Sequence, residues 1–149
     1  MGIFNLFWFV FIGWWSALMY LFFALIMALT IIGFPLAKSL VQFANLSAFP
    51  FGKEVIRETE LKGSDNVNKA RKIGGVIVNI VWLPLGVILS IMHMITGLFA
   101  FITIIGIPVG VVMMRMAKFI IFPIGAKVVT KKQAYASAVA NELEDRKKK

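Results

Sequence analysis

Residues 3–37 contain no charged side chain, and neither do residues 73–92. Each run exceeds the roughly 18–20 residues needed to span a hydrocarbon core about 30 Å thick. The rest of the composition agrees: 60% of the residues are hydrophobic and 15% are charged, against roughly 25% charge in a soluble domain. The chain reads as an all-α integral membrane protein. Its first apolar run lacks the positive start and short core of a cleavable signal, and Leu6 stands where an N-myristoylation pattern wants Ser or Thr. That run is expected to remain as an anchor. Cysteine is absent, which excludes disulfides, thiolate metal sites and a cysteine nucleophile.

The two apolar blocks follow one plan. Thr30-Ile31-Ile32-Gly33 corresponds to Thr103-Ile104-Ile105-Gly106, and Pro35 to Pro108. Without a gap, Ala44 then falls on Ala117, Phe49-Pro50 on Phe122-Pro123, Gly52 on Gly125 and Val55 on Val128. With one residue of slip, Asn5 and Trp8 match Asn79 and Trp82, and Gly13 returns to register with Gly86. This predicts a tandem repeat of two helix–break–helix units, about four transmembrane or re-entrant segments in all. Each unit opens on Asn-x-x-Trp, read as an interfacial anchor. A long segment follows (6–29 or 80–102), then the T-I-I-G-x-P break, then a shorter segment (36–50 or 109–123) closing on F-P-x-G. The domain boundaries are therefore 1–55 for the first repeat, 56–72 for a charged linker, 73–128 for the second repeat and 129–149 for a basic tail.

Proline removes a backbone donor and disfavours helix in the residue before it. In lipid a freed backbone group costs several kcal/mol, so the break at Thr30, Gly33, Pro35 and at Thr103, Gly106, Pro108 needs an explanation. One reading is a tight turn between helices, with the threonine hydroxyls satisfying freed carbonyls. The other is an unwound segment lining a site. Small residues four apart (Gly13 and Ala17, Gly33 and Ala37, Gly106 and Gly110) predict close helix contacts. Ser64 or Asp65 is expected to cap a helical lead-in to the second repeat.

Of the sixteen Lys and Arg residues, six lie in 53–72 and seven from 127 onward. Two crossings per unit place all thirteen on one side, and the positive-inside rule makes that side cytoplasmic. Both termini are then expected inside, with the breaks toward the outer face. This distribution is that of loops flanking membrane segments, not of a nucleic-acid-binding patch.

The duplicated Asn-x-x-Trp, Gly13-Trp14-x-x-Ala17-Leu18, Thr-Ile-Ile-Gly-x-Pro and Pro50-Phe51-Gly52-Lys53-Glu54-Val55 elements resemble the YccF family of bacterial inner-membrane proteins, in which a membrane domain occurs twice. The second copy departs in reading Gly125-Ala126-Lys127 where the first has Gly52-Lys53-Glu54. The resemblance spans nearly the whole chain. It implies a polytopic inner-membrane protein and carries no catalytic residues.

No enzyme is expected. His93 is the only histidine, it aligns with Tyr20, and both read as interhelical hydrogen-bonding residues. No Asp or Glu falls in either apolar block, so neither a carboxylate proton relay nor a metal or other cofactor is expected. What remains is a polar stripe on each short segment. Lys38, Gln42 and Asn45 share one helical face, and Val111, Arg115 and Lys118 occupy the aligned positions. Cations at this depth snorkel, face a cavity or bind an anion. Two functions follow: an oligomeric channel or conduit lined by these stripes, or a non-conducting scaffold or accessory subunit. The scaffold would hold anionic phospholipid and recruit a protein partner through the linker and tail. A homo-oligomer is expected.

Overall fold

The computed structural model describes residues 2–31, 33–63, 69–104 and 106–148. The expected cap at Ser64 or Asp65 lies outside the described residues. The chain begins with α1 (Gly2–Trp8), a π-helical turn (Phe9–Gly13) and α2 (Trp14–Ala28). After a break comes α3 (Gly33–Ala48), then β1 (Lys53–Arg57) and the short α4 (Glu58–Lys62). The sequence of elements then recurs as α5 (Lys69–Phe101), α6 (Ile107–Ile120), β2 (Ala126–Thr130) and α7 (Lys131–Lys147). Among the described residues, two continuous helical stretches, Gly2–Ala28 and Ile73–Phe101, are long and apolar enough to cross a membrane.

The π-helical turn has a cause visible in the sequence. Trp8 and Gly13 are separated by one residue more than Trp82 and Gly86, and a π turn absorbs one extra residue without ending a helix. With the surplus housed in Phe9–Gly13, the indole of each tryptophan lies over its glycine. A Cβ on Gly13 would come within 2.9 Å of Trp8 Cδ1, and one on Gly86 within 2.8 Å of Trp82 Nε1. Both indoles then reach the same place on the returning helix: Trp8 Nε1 donates to Ser47 O at 2.7 Å, and Trp82 Nε1 to Ile120 O at 2.8 Å.

Each break is a tight turn. Thr30 Oγ1 accepts from Gly33 N at 3.0 Å and donates to Met27 O at 3.0 Å. Thr103 Oγ1 accepts from Gly106 N at 3.0 Å and donates to Ala100 O at 3.3 Å. One hydroxyl thus caps the start of the helix after the break and satisfies a carbonyl of the helix before it. Ile31 and Ile104, at the two tips, are 95% and 86% exposed.

The small residues close these hairpins from within. Ala17 clusters with Ala44 and Ala48, and a Cβ on Gly110 would strike the Phe101 ring at 2.8 Å. The asparagines, expected as interfacial anchors, are clamps at the open ends. Asn5 Nδ2 donates to Phe51 O at 2.9 Å while its Oδ1 accepts from Phe51 N at 3.0 Å. Asn79 does the same to Ile124, at 3.2 and 3.0 Å. α3 and α6 therefore return to the ends from which α1 and α5 set out.

The all-α expectation needs one correction. β1 and β2 form a two-stranded antiparallel ladder in which Val55 faces Val128. Each strand has five residues and its partner lies some seventy positions away, so local periodicity carries no signal for it. The feeding turns do carry one: Gly52 and Gly125 both take φ of +89°, a left-handed conformation that favours glycine. The core sits where the ladder meets the short helices. Phe43 and Leu46 of α3, Val112, Met116 and Phe119 of α6, Val55, Ala126 and Trp8 form one cluster. Most large apolar side chains of α2 and α5 face outward, the inverse of a soluble bundle and the pattern lipid requires.

Candidate functional site

The polar positions of the short helices do not converge on an open path within the chain. Gln42 Oε1 accepts from Val128 N of β2 at 3.1 Å, and Arg115 donates to Lys53 O of β1 at 2.8 Å. Each thus crosses from its own hairpin to the strand that follows the other. Asn45 accepts from Lys53 Nζ through both its side-chain and main-chain oxygens. Lys38 is exposed, with its ammonium 4.6 Å from the Phe34 ring centroid. Lys118 is likewise exposed, 5.5 Å from the ring of Phe119. The ring contact is the interaction each of these two cations makes. Backbone bonding occupies Gln42 and Arg115, and the Lys53 ammonium occupies Asn45.

Deeper between the hairpins, Tyr20 and His93 meet. His93 Nδ1 lies 2.7 Å from Leu89 O, which can only accept, so Nδ1 carries the proton. In the neutral ring Nε2 is then the acceptor for the Tyr20 hydroxyl at 2.9 Å. The two residues that align in sequence are therefore hydrogen-bonded partners.

Arg57, at the end of β1, received no role from the sequence. Its Nη1 donates to Phe122 O at 2.6 Å, and its guanidinium stacks 5.3 Å from the Phe119 ring. Burial lowers its pKa and the nearby Glu60 carboxylate opposes that effect. Burial also lowers the pKa of Lys53. Nothing in the local pattern distinguishes Arg57 from the other linker cations; its position emerges only when the ladder forms.

A groove of about 360 Å³ runs between α3, the start of α5 and the end of the ladder, with Pro35, Lys38, Ser39, Arg57, Asn79 and Lys127 on its walls. A second cleft of about 230 Å³ lies among Phe51, Pro108, Val111, Arg115 and Lys131.

Two segments of the chain, residues 3–53 and 77–126, match the YccF family, described as an inner membrane component domain. Inner membrane protein YccF of Escherichia coli (strain K12) is 36% identical over 138 residues, covering 92% of this chain and 93% of that protein. Inner membrane protein YccF of Shigella flexneri matches to the same extent. No solved structure matches the chain.

Proposed function

The chain belongs to the YccF family of inner membrane components, and from that premise we propose that it is a multi-pass membrane scaffold, neither an enzyme nor a conduit. In this reading it consists of two repeated hairpins related by a pseudo-two-fold axis through the Val55–Val128 and Tyr20–His93 pairs. Residues that face each other at both pairs are 73 positions apart, as the T-I-I-G-x-P copies are. Each hairpin enters and leaves the bilayer on the same face, because the asparagine clamps bring its two ends together. The charge on residues 53–72 and from 127 onward makes that face cytoplasmic. The ladder, α4 and α7 then form a charged platform rigidly joined to the membrane body, suited to recruiting a protein partner.

The observation carrying the scaffold reading is the cross-bonding of Gln42 and Arg115 to the strands. Residues that would line a conduit are occupied in holding the platform to the helices. Reconstitution in liposomes tests this: the protein is expected to pass no ions across voltage, tension or pH. Flux that Arg115→Ala or Gln42→Ala alters would overturn the scaffold and restore an oligomeric conduit. The orientation has its own test. The chain has no cysteine, so a single cysteine at Ile31 should react with an impermeant maleimide from outside intact cells, and one at Ser137 only after permeabilisation. The reverse pattern defeats the topology.

A further inference from the structure

The two clefts occupy corresponding places in the two hairpins. Pro35, Lys38, Gln42 and Ile124 of the larger align with Pro108, Val111, Arg115 and Phe51 of the smaller. Their charge differs. The larger is lined by three cations, Lys38, Arg57 and Lys127, and one acid, Glu58. That acid is ion-paired with Lys62 at 3.2 Å. In the smaller, Lys38 is replaced by Val111, and Thr130 and Glu54 stand at the positions aligned with Arg57 and Lys127. The cations of the smaller cleft are Arg115 and Lys131, and Arg115 is bonded to Lys53 O.

The larger groove also has apolar walls. Arg57 and Lys127 belong to the ladder, whereas Phe34 and Pro35 belong to the first turn of α3 beside the break, and Val76 adds an apolar wall. A guanidinium has five N–H donors, so the bond to Phe122 O uses part of Arg57's capacity. A basic pocket between membrane helices at the cytoplasmic side, with apolar residues among its walls, suits an amphiphile with an anionic head.

We propose that this groove binds one anionic phospholipid per chain, its phosphate held by Arg57 and Lys127 with Lys38 as the third cation, and its acyl chains along Phe34, Pro35 and Val76. The inference rests on the cytoplasmic placement of the ladder. Native mass spectrometry of the purified full chain, incubated with equal phosphatidylglycerol and phosphatidylcholine, tests it. Wild type should retain a single phosphatidylglycerol in preference to phosphatidylcholine. Lys38→Ala with Lys127→Ala should reduce that preference roughly ten-fold or more. Neither lysine supports the backbone through a hydrogen bond given above, and an unchanged circular dichroism spectrum confirms folding of the variant. Lys131→Ala, in the smaller cleft, should leave the preference intact. Equal retention of the two lipids by wild type, an unaffected double variant, or loss of preference in Lys131→Ala would each overturn the site. Liposome flux is read separately: flux with lipid preference intact refutes only the scaffold, and lost preference in a non-conducting protein refutes only the lipid site.

Discussion

Replacing Asn79 with alanine removes one side chain that satisfies both backbone groups of a single residue. Asn79 is 9% exposed, and its amide donates to Ile124 O while accepting from Ile124 N. Two net hydrogen bonds at about 1 kcal/mol each set the lower estimate, and leaving a part-buried N–H and C=O unpaired raises it to about 2–4 kcal/mol. The unfolding constant should rise roughly 30-fold to several-hundred-fold. Asn5→Ala breaks the equivalent clamp on Phe51, but Asn5 is only half-buried, so water can compensate and about 1–2 kcal/mol is expected. Equilibrium unfolding by SDS titration in mixed micelles measures both. Hydrogen exchange should show Ile124 losing protection in Asn79→Ala and Phe51 losing it in Asn5→Ala, each without the other. If Asn79→Ala stays within about 0.5 kcal/mol of wild type, below the worth of a single bond, or if Ile124 exchange is unaltered, the clamp does not close the hairpin.

Other perturbations probe the remaining joints. Tyr20→Phe and His93→Leu, singly and together, should show a coupling of about 0.6–1.7 kcal/mol, the range for hydrogen bonds between membrane helices; additive losses would dissolve the pair. Gly125→Ala places a side chain at φ +89° with no neighbour within 4 Å, so the cost is conformational, about 1–2 kcal/mol. Gly74→Ala, in α5 and equally unobstructed, should instead stabilise by about 0.5–1 kcal/mol; equal signs for the two in thermal unfolding would refute the assignment. Arg115→Met should cost about 1.5–3 kcal/mol through loss of a charged hydrogen bond and increase exchange in β1, with Arg115→Lys retaining part of it.

Much of the architecture was legible because membrane helices announce themselves by composition. The helices, the position of both breaks and the correspondence of Asn-x-x-Trp all follow from residue order. The one-residue slip between Trp8 and Gly13 pointed to the place where the helix widens into a π turn. The ladder was not legible. β1 lies in a charged stretch and β2 is only five residues long, and what selects them is Val55 meeting Val128 across residues 56–127. With the ladder unseen, the backbone partners of Gln42 and Arg115 were not legible. Arg57 had no claim to a site for the same reason. Contacts within a hairpin are encoded nearby, whereas those between hairpins are encoded only in the tertiary arrangement.

The ladder also explains why polar side chains are tolerated on α3 and α6. A two-stranded sheet has two free edges, each with N–H and C=O groups that need partners. Here those edges abut α3 and α6, which keep water from the backbone groups and must supply partners in its place. The Val128 N–H points to Gln42 and the Lys53 carbonyl to Arg115. An N–H needs an acceptor and a C=O needs a donor. The aligned positions 42 and 115 therefore carry different residues because they serve opposite backbone groups on opposite edges. Gln42→Arg would present a donor to a donor and leave the Val128 N–H unpaired, while Arg115→Gln would keep an amide donor for the Lys53 carbonyl. The first exchange should therefore be much the more disruptive, although Arg115→Gln is the one that removes a charge.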